Sequence, residues 1–187
     1  METEGTLAPA TPAEARAEYE ALVPAAKVAV REAAKAMEFD REEYADRVTG
    51  EVVESVRDAL FASLLRVHVG TREEYEAWLD DHPEYEPDLA GSEHVDNVVW
   101  HPVRFAAGGN GTADGDSEGR DADGGADADP ADGTKPVLAA TWQAEREAAL
   151  GTLRRRAFGR AYRPVVSEAD GDEADAVAGD GPDESSE

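Results

Sequence analysis

The chain has 187 residues, enough for one domain with some additional unstructured sequence, and its 43 acidic against 18 basic side chains give a formal net charge of −25. Cysteine is absent, which excludes disulfides, thiolate metal sites and a cysteine nucleophile. No apolar run of about 18 residues exists, so no membrane-spanning helix is expected. The sequence also starts without a signal-peptide pattern, and we therefore predict a cytoplasmic protein.

The residues that form hydrophobic cores are unevenly distributed. Of the 31 Leu, Val and Phe residues, 29 lie outside residues 1–10, 107–135 and 167–187. Segments so poor in apolar side chains bury too little surface to offset the entropy lost on ordering. We therefore predict a disordered start at 1–10, one folded domain over 11–166 with a disordered Gly/Asp-rich insertion at 107–135, and a disordered acidic tail at 167–187.

The first half of the domain is predicted to be helical. Patterns typical of capping boxes begin at Thr11 and Asp40, each followed three residues later by Glu. Residues 25–38 and 51–64 carry apolar side chains at helical spacing, most clearly in the second of these segments. Four helical segments are therefore expected before the first strand.

The second half alternates between strands and helices. Three strands are predicted at about 65–69, 97–105 and 136–142. A helix capped by Thr71 follows the first strand, a loop containing Pro87 comes next, and a helix from Arg146 to about Tyr162 closes the domain. Pro102 favours an edge position for the middle strand, because proline donates no hydrogen bond to a sheet. The last two strands are expected to form a hairpin whose turn is the insertion.

These elements predict an α+β fold. N-terminal helical segments are followed by a βαββα unit, in which a small, mainly antiparallel three-stranded sheet is covered by helices.

The insertion contains a partial calcium-binding pattern. Four of its residues match early positions of an EF-hand loop: Asp114, Asp116, Glu118 and Gly119. Gly125 stands where the loop requires a bidentate Glu, and neither flank has a helical pattern. We therefore predict no metal site and no cofactor.

The four histidines show no zinc-binding spacing: His68, His82, His94 and His101. Strand alternation places His101 on the face that also carries Val99 and Val103. This residue is either a hydrogen-bonded core histidine or part of a catalytic or ligand site. In the second case, the candidate pocket consists of His68, His101 and Arg154 above the sheet.

The predicted closing helix is basic within an acidic chain. Its helical pattern places four arginines on or beside the side opposite the apolar face, and these form a candidate partner-binding surface: Arg155, Arg156, Arg160 and Arg163. Arg154 falls within the apolar arc, between Leu150 and Phe158, where an unpaired guanidinium is costly. The alternative is that these arginines pair with the chain's own carboxylates.

Two stretches resemble an uncharacterised family of haloarchaeal proteins, a domain of unknown function. They are KAMEFDREEYADRVTGEVVESVRDALFASLLRVHVGTREEYEAWL and TWQAEREAALGTLRRRAFGRAYR. The resemblance covers about residues 11–166 and implies a halophilic archaeal source, with no activity and no catalytic residues to carry over. The scarcity of lysine and the abundance of carboxylates also favour a salt-adapted protein.

Two functional hypotheses follow from the sequence. The first is a non-catalytic interaction or regulatory module in a halophile cytoplasm that presents the Arg-rich helix to a partner. A protein partner is favoured over nucleic acid, because counterion release contributes little to binding in molar salt. The second is a small enzyme or ligand-binding domain built around the candidate pocket.

Overall fold

The computed structural model describes residues 1–106 and 134–167, which form a mixed α+β fold. The chain begins with β1 (Glu2–Glu4), α1 (Pro12–Glu20), α2 (Val23–Ala36), α3 (Arg41–Arg47) and α4 (Gly50–Leu64). It continues with β2 (Val67–Thr71), α5 (Arg72–Asp81), β3 (Tyr85–Ala90), β4 (Asn97–Pro102) and β5 (Lys135–Thr141). The last elements are α6 (Arg146–Ala157), a π-helical turn (Phe158–Tyr162) and α7 (Arg163–Ser167). We call these last three elements the closing segment.

The predicted helix starts are confirmed by their capping hydrogen bonds. The Thr11 hydroxyl accepts from the backbone N–H of Glu14 at 3.1 Å. Asp40 and Thr71 each form a complete capping box, in which the Glu three residues later accepts from the backbone N–H of the capping residue. Such bonds satisfy amide groups that the first turn of a helix leaves without partners, so the local sequence determines where these helices begin.

The sheet is larger than predicted, with five strands in the order β1-β2-β4-β5-β3. The predicted hairpin is confirmed, because β4 and β5 pair antiparallel with His101 opposite Leu138. The two additional strands lie at the edges, where β1 pairs antiparallel with β2 and β3 pairs parallel with β5. The predicted three-stranded sheet is therefore corrected to five strands.

Both missed strands have sequences typical of edge strands. β1 reads Glu-Thr-Glu, in the segment that we expected to be disordered, and β3 includes Pro87 in the segment that we expected to be a loop. Edge strands accept charged residues and proline, because one row of their backbone groups has no partner. The edge position expected for β4 is wrong. Pro102 is its last residue, beyond the stretch from Asn97 to Trp100 that pairs with β2.

Hydrophobic residues pack on both faces of the sheet. The larger core lies on the face covered by α1, α4 and the closing segment, and its fully buried side chains include Phe61, Leu150 and Tyr162. The smaller core lies on the opposite face, where Tyr75 of α5 packs with Trp100. Because side chains of a strand alternate between faces, neighbouring residues of β4 enter different cores.

Several sequence predictions fall on residues outside the described ranges. These are the EF-hand-like pattern, the insertion apart from residues 134 and 135, and the acidic segment after Ser167. Within residues 1–106 and 134–167, no helix is long and apolar enough to cross a membrane.

Candidate functional site

The closing segment is not one continuous α-helix. After Ala157 the backbone forms a π-helical turn from Phe158 to Tyr162, and α7 begins at Arg163. A π-helical turn contains more residues than an α-helical turn, so side chains after it point in directions that a single α-helical repeat does not predict. Arg154, Arg155 and Arg156 precede this turn on α6, Arg160 lies within it and Arg163 follows it, and these arginines have different surroundings.

On the side facing β3, two arginines share one carboxylate. The guanidinium groups of Arg156 and Arg160 bind opposite oxygens of Asp88. Arg156 also donates to the backbone carbonyl of Ala139 at 3.3 Å, and its side chain is only 23% exposed. Both residues were predicted to bind a partner, but they already hold the closing segment against the sheet.

On the other side, a groove of about 540 Å³ separates α4 from the closing segment. Leu65 lies beside Arg154 and Asp58 beside Arg163, so the two helical segments run antiparallel along it. Small side chains line much of the groove: Ser55, Ala59, Ala62, Ser63, Gly151 and Gly159. Its volume lies in the range of ligand pockets, roughly 300–1,000 Å³.

Two adjacent arginines line this groove without a carboxylate partner in the part of the chain that the structure describes. Arg154 donates through Nε to the backbone carbonyl of Leu65 at 3.0 Å. Arg155 donates to the hydroxyl of Thr152 at 3.3 Å. By contrast, Arg146, Arg156, Arg160 and Arg163 each bind at least one carboxylate. Of the four arginines predicted to bind a partner, only Arg155 has no carboxylate partner among the described residues, and Arg154 lies beside it.

Arg163 lies at one end of the groove in a network that the sequence did not predict. It donates to Asp58 at 2.8 Å, and the second oxygen of Asp58 accepts from the hydroxyl of Tyr19. The buried guanidinium of Arg57 lies over the Tyr19 ring at 4.0 Å and binds Glu20. Burial, reinforced by the hydrogen bond to Asp58, raises the pKa of Tyr19.

The sequence analysis did not identify Arg57. The available signal was its position one turn before Phe61, which places both residues on the buried face of α4.

His101 is a buried core histidine with both ring nitrogens engaged. Its Nδ1 donates to the carbonyl of Arg66 at 2.6 Å, and its Nε2 accepts from the hydroxyl of Tyr162 at 2.8 Å. Because a carbonyl only accepts, Nδ1 carries a proton, and Nε2 accepts from the Tyr162 hydroxyl when the ring is neutral. Burial lowers the pKa of His101 to about 4, which favours the same neutral form.

The three residues of the predicted pocket do not come together. His101 faces the larger core, whereas the His68 ring packs against Trp78 and Trp100 on the opposite face of the sheet. Burial also lowers the pKa of His68. Arg154 lines the groove, half-buried and without the buried ionic partner that its helical position had suggested.

The described ranges contain no cluster of three or more His, Asp or Glu side chains that could hold a metal ion. The groove itself presents two arginine donors, Arg154 and Arg155, beside mostly small side chains. Such an arrangement can bind an anionic group by charge-assisted hydrogen bonds.

Comparison with known proteins identifies a family. The model of a family of unknown function, DUF5809, matches residues 6–118 and 127–163. The chain belongs to this family. No curated protein matches the chain, and no solved structure matches it. Because the family description assigns no activity, the function has to be argued from the groove and its residues.

Proposed function

We propose that this chain is a non-catalytic binding module that recognises an acidic segment of a partner protein in the groove between α4 and the closing segment. The observation that carries the proposal is the pair Arg154 and Arg155. In a chain with 43 acidic residues, these two arginines of the described structure line a groove and bind no carboxylate. Each arginine makes one hydrogen bond to the fold, and its other guanidinium donors support binding of an acidic ligand.

The chemistry of the pair suits carboxylates. A guanidinium presents planar, paired N–H donors that match the two oxygens of a carboxylate, and it stays charged at any physiological pH. The small residues Ala59, Gly151 and Gly159 leave room beside the arginines for a polypeptide backbone. Phe158 lies beneath this wall as part of the larger core, so it supports the groove.

Nucleic acid fits this groove less well. Asp58 and Glu147 also line it, so a ligand with a continuous row of phosphates meets negative charge at both residues. The net charge of −25 opposes binding of a long polyanion further. A short acidic peptide places its few carboxylates at the two arginines alone.

The proposed setting is the cytoplasm of a halophilic archaeon. It is supported by the excess of carboxylates, the scarcity of lysine and the family resemblance described above. In such a protein, mutual repulsion of acidic side chains is screened at molar salt, where the Debye length is about 3 Å, and is much stronger at about 0.1 M. We therefore expect the melting temperature to rise with KCl concentration over this range. A melting temperature that does not change with KCl contradicts this setting.

Direct binding tests the function. A fluorescently labelled peptide of alternating Glu and Ser is titrated with the full chain and with the double variant Arg154→Gln, Arg155→Gln. Because each charge-assisted hydrogen bond contributes roughly 1.5–3 kcal/mol, we expect the variant to bind at least about tenfold more weakly.

The matched control is Arg31→Gln, Arg41→Gln, which changes the net charge equally at exposed positions outside the groove. This control should stay within about twofold of the wild-type affinity, the change expected of long-range charge alone. Equal weakening in both double variants, or no binding by the wild type, overturns the proposed function. Tighter binding of single-stranded RNA than of the peptide overturns the choice of a protein partner.

A further inference from the structure

We propose that the groove is also the docking site of segment 168–187 of this same chain, so that the chain regulates access to its own binding site. This inference rests on the proposed function, because it concerns the same two arginines. It identifies segment 168–187 as the ligand that occupies the groove and that a partner has to displace.

The position of the last described helix supports this occupant. α7 begins with Arg163, which lines the groove, and it ends at Ser167. At about 1.5 Å per helical residue, the twelve positions from Ser167 back to Arg155 correspond to roughly 18 Å. Segment 168–187 therefore starts close to one end of the groove, and a short length of chain is sufficient to reach the arginine pair.

The sequence of the segment provides the complementary charge at the required distance. It contains nine Asp and Glu residues and no Lys or Arg. Three of its carboxylates stand five to eight residues after Ser167, at Asp172, Glu173 and Asp175. An extended chain of that length spans roughly 16–28 Å, which includes the distance to Arg155.

Docking needs a change of direction close to Ser167. To run back along α6, the chain has to reverse within the first two residues after α7, at Glu168 and Ala169. The six residues from there to Asp175 then span up to roughly 20 Å when extended, which still covers the distance to Arg155.

Tethering makes this occupancy effective even when the intrinsic contact is weak. A segment joined to its site by a short linker has an effective concentration of the order of millimolar. A tail that binds with a dissociation constant of about 0.1 mM then lowers the apparent affinity for a competing acidic ligand by about tenfold. The groove thus selects partners that are more strongly acidic, or better shaped for it, than the segment itself.

The test uses the full chain with three carboxylates neutralised, Asp172→Asn, Glu173→Gln and Asp175→Asn. A labelled peptide with the sequence of residues 168–187 serves as the probe. Its affinity is measured at the lowest KCl concentration at which circular dichroism shows the chain folded. We expect the neutralised variant to bind the probe at least about fivefold more tightly than the matched control, because competition from the tethered segment is removed.

The matched control is Glu76→Gln, Asp80→Asn, Glu93→Gln, which removes three exposed carboxylates outside the groove. Adding Arg154→Gln and Arg155→Gln should abolish the difference between the neutralised variant and this control.

The other possible results distinguish self-occupancy of the groove from the proposed function. Equal affinities of the neutralised variant and the control overturn self-occupancy, whereas probe binding that still depends on Arg154 and Arg155 preserves the proposed function. No probe binding by any variant overturns both. A gain seen instead after neutralising Asp121, Asp123 and Asp127 identifies the insertion as the occupant and overturns this assignment. A gain that depends on protein concentration identifies the segment of a second copy, which also overturns it.

Discussion

The two sides of the closing segment use arginine in different ways. On the side facing β3, Arg156 and Arg160 share Asp88, so charges of both signs fix the helix to the sheet. On the groove side, Arg154 and Arg155 bind no carboxylate among the described residues, and the neighbouring π-helical turn is anchored by the neutral hydrogen bond from Tyr162 to His101. An abundance of acidic residues therefore does not decide which arginines are paired. Their position in the fold decides it.

The largest expected effect comes from removing the shared carboxylate on the β3 side. Asp88→Ala leaves the half-buried Arg156 without its ionic partner, and we expect the free energy of unfolding to fall by about 2 kcal/mol. Urea denaturation measures this loss of unfolding free energy, and the exposed Asp80→Ala of α5 is the control. Equal denaturation midpoints for the two variants show that Asp88 does not hold the closing segment.

The hydrogen bond between Tyr162 and neutral His101 predicts that the free energy of unfolding depends on pH. Because the pKa of His101 falls to about 4 in the folded state, from 6.5 in the unfolded chain, the unfolded state takes up the proton first as pH decreases. The contribution of His101 is complete above pH 6.5 and is lost as pH falls towards 4. At pH 5.5, about 1.4 kcal/mol of the free energy of unfolding should be lost.

His101→Asn is the matched variant for this experiment, since its amide retains a donor but does not titrate. The difference in unfolding free energy between wild type and variant should narrow by the stated amount between pH 7.5 and pH 5.5. Other titrating groups contribute to both proteins and cancel. If the difference in unfolding free energy does not change with pH, or if the His101 ring titrates in NMR with a midpoint above pH 6, the neutral state of His101 in the fold is contradicted.

Single arginine variants compare the contributions of the two sides of the closing segment to stability. We expect Arg156→Ala to lower the free energy of unfolding by about 1 kcal/mol more than Arg154→Ala, because Arg156 loses an ion pair and a bond to a strand carbonyl. The helical pattern of the sequence alone predicts the reverse order, since it places Arg154 on the apolar arc. Denaturation midpoints decide between the two, and a larger loss at Arg154 restores the interpretation from the sequence.

The smallest effect is expected at the exposed arginine of the groove. Arg155→Ala removes only a 3.3 Å contact with Thr152, within the same turn of α6, so the free energy of unfolding should change by no more than about 0.5 kcal/mol. Binding of the acidic peptide should nevertheless weaken clearly in this variant. A large loss of stability combined with unchanged binding assigns Arg155 to the fold and removes it from the binding site.

Much of the fold is encoded locally. The capping patterns at Thr11, Asp40 and Thr71 fix the start of three helices through bonds that span only a few residues. Strand alternation correctly assigns His101 to the face of Val99 and Val103, and the pairing of β4 with β5 follows from their succession in the chain. Periodicity and capping act over one or two turns, so the sequence displays them directly.

The remaining features depend on partners that are distant in the sequence and meet only in the folded chain. β1 and β3 are strands because β2 and β5 offer them free edges, not because their own residues favour a sheet. Asp88 meets Arg156, 68 residues away, only after β3 has joined that sheet. Local patterns were sufficient to predict an acidic α+β domain with a basic closing segment. The fold decided which arginines stabilise that domain and which line a groove, since an ion pair depends on where two side chains meet in space.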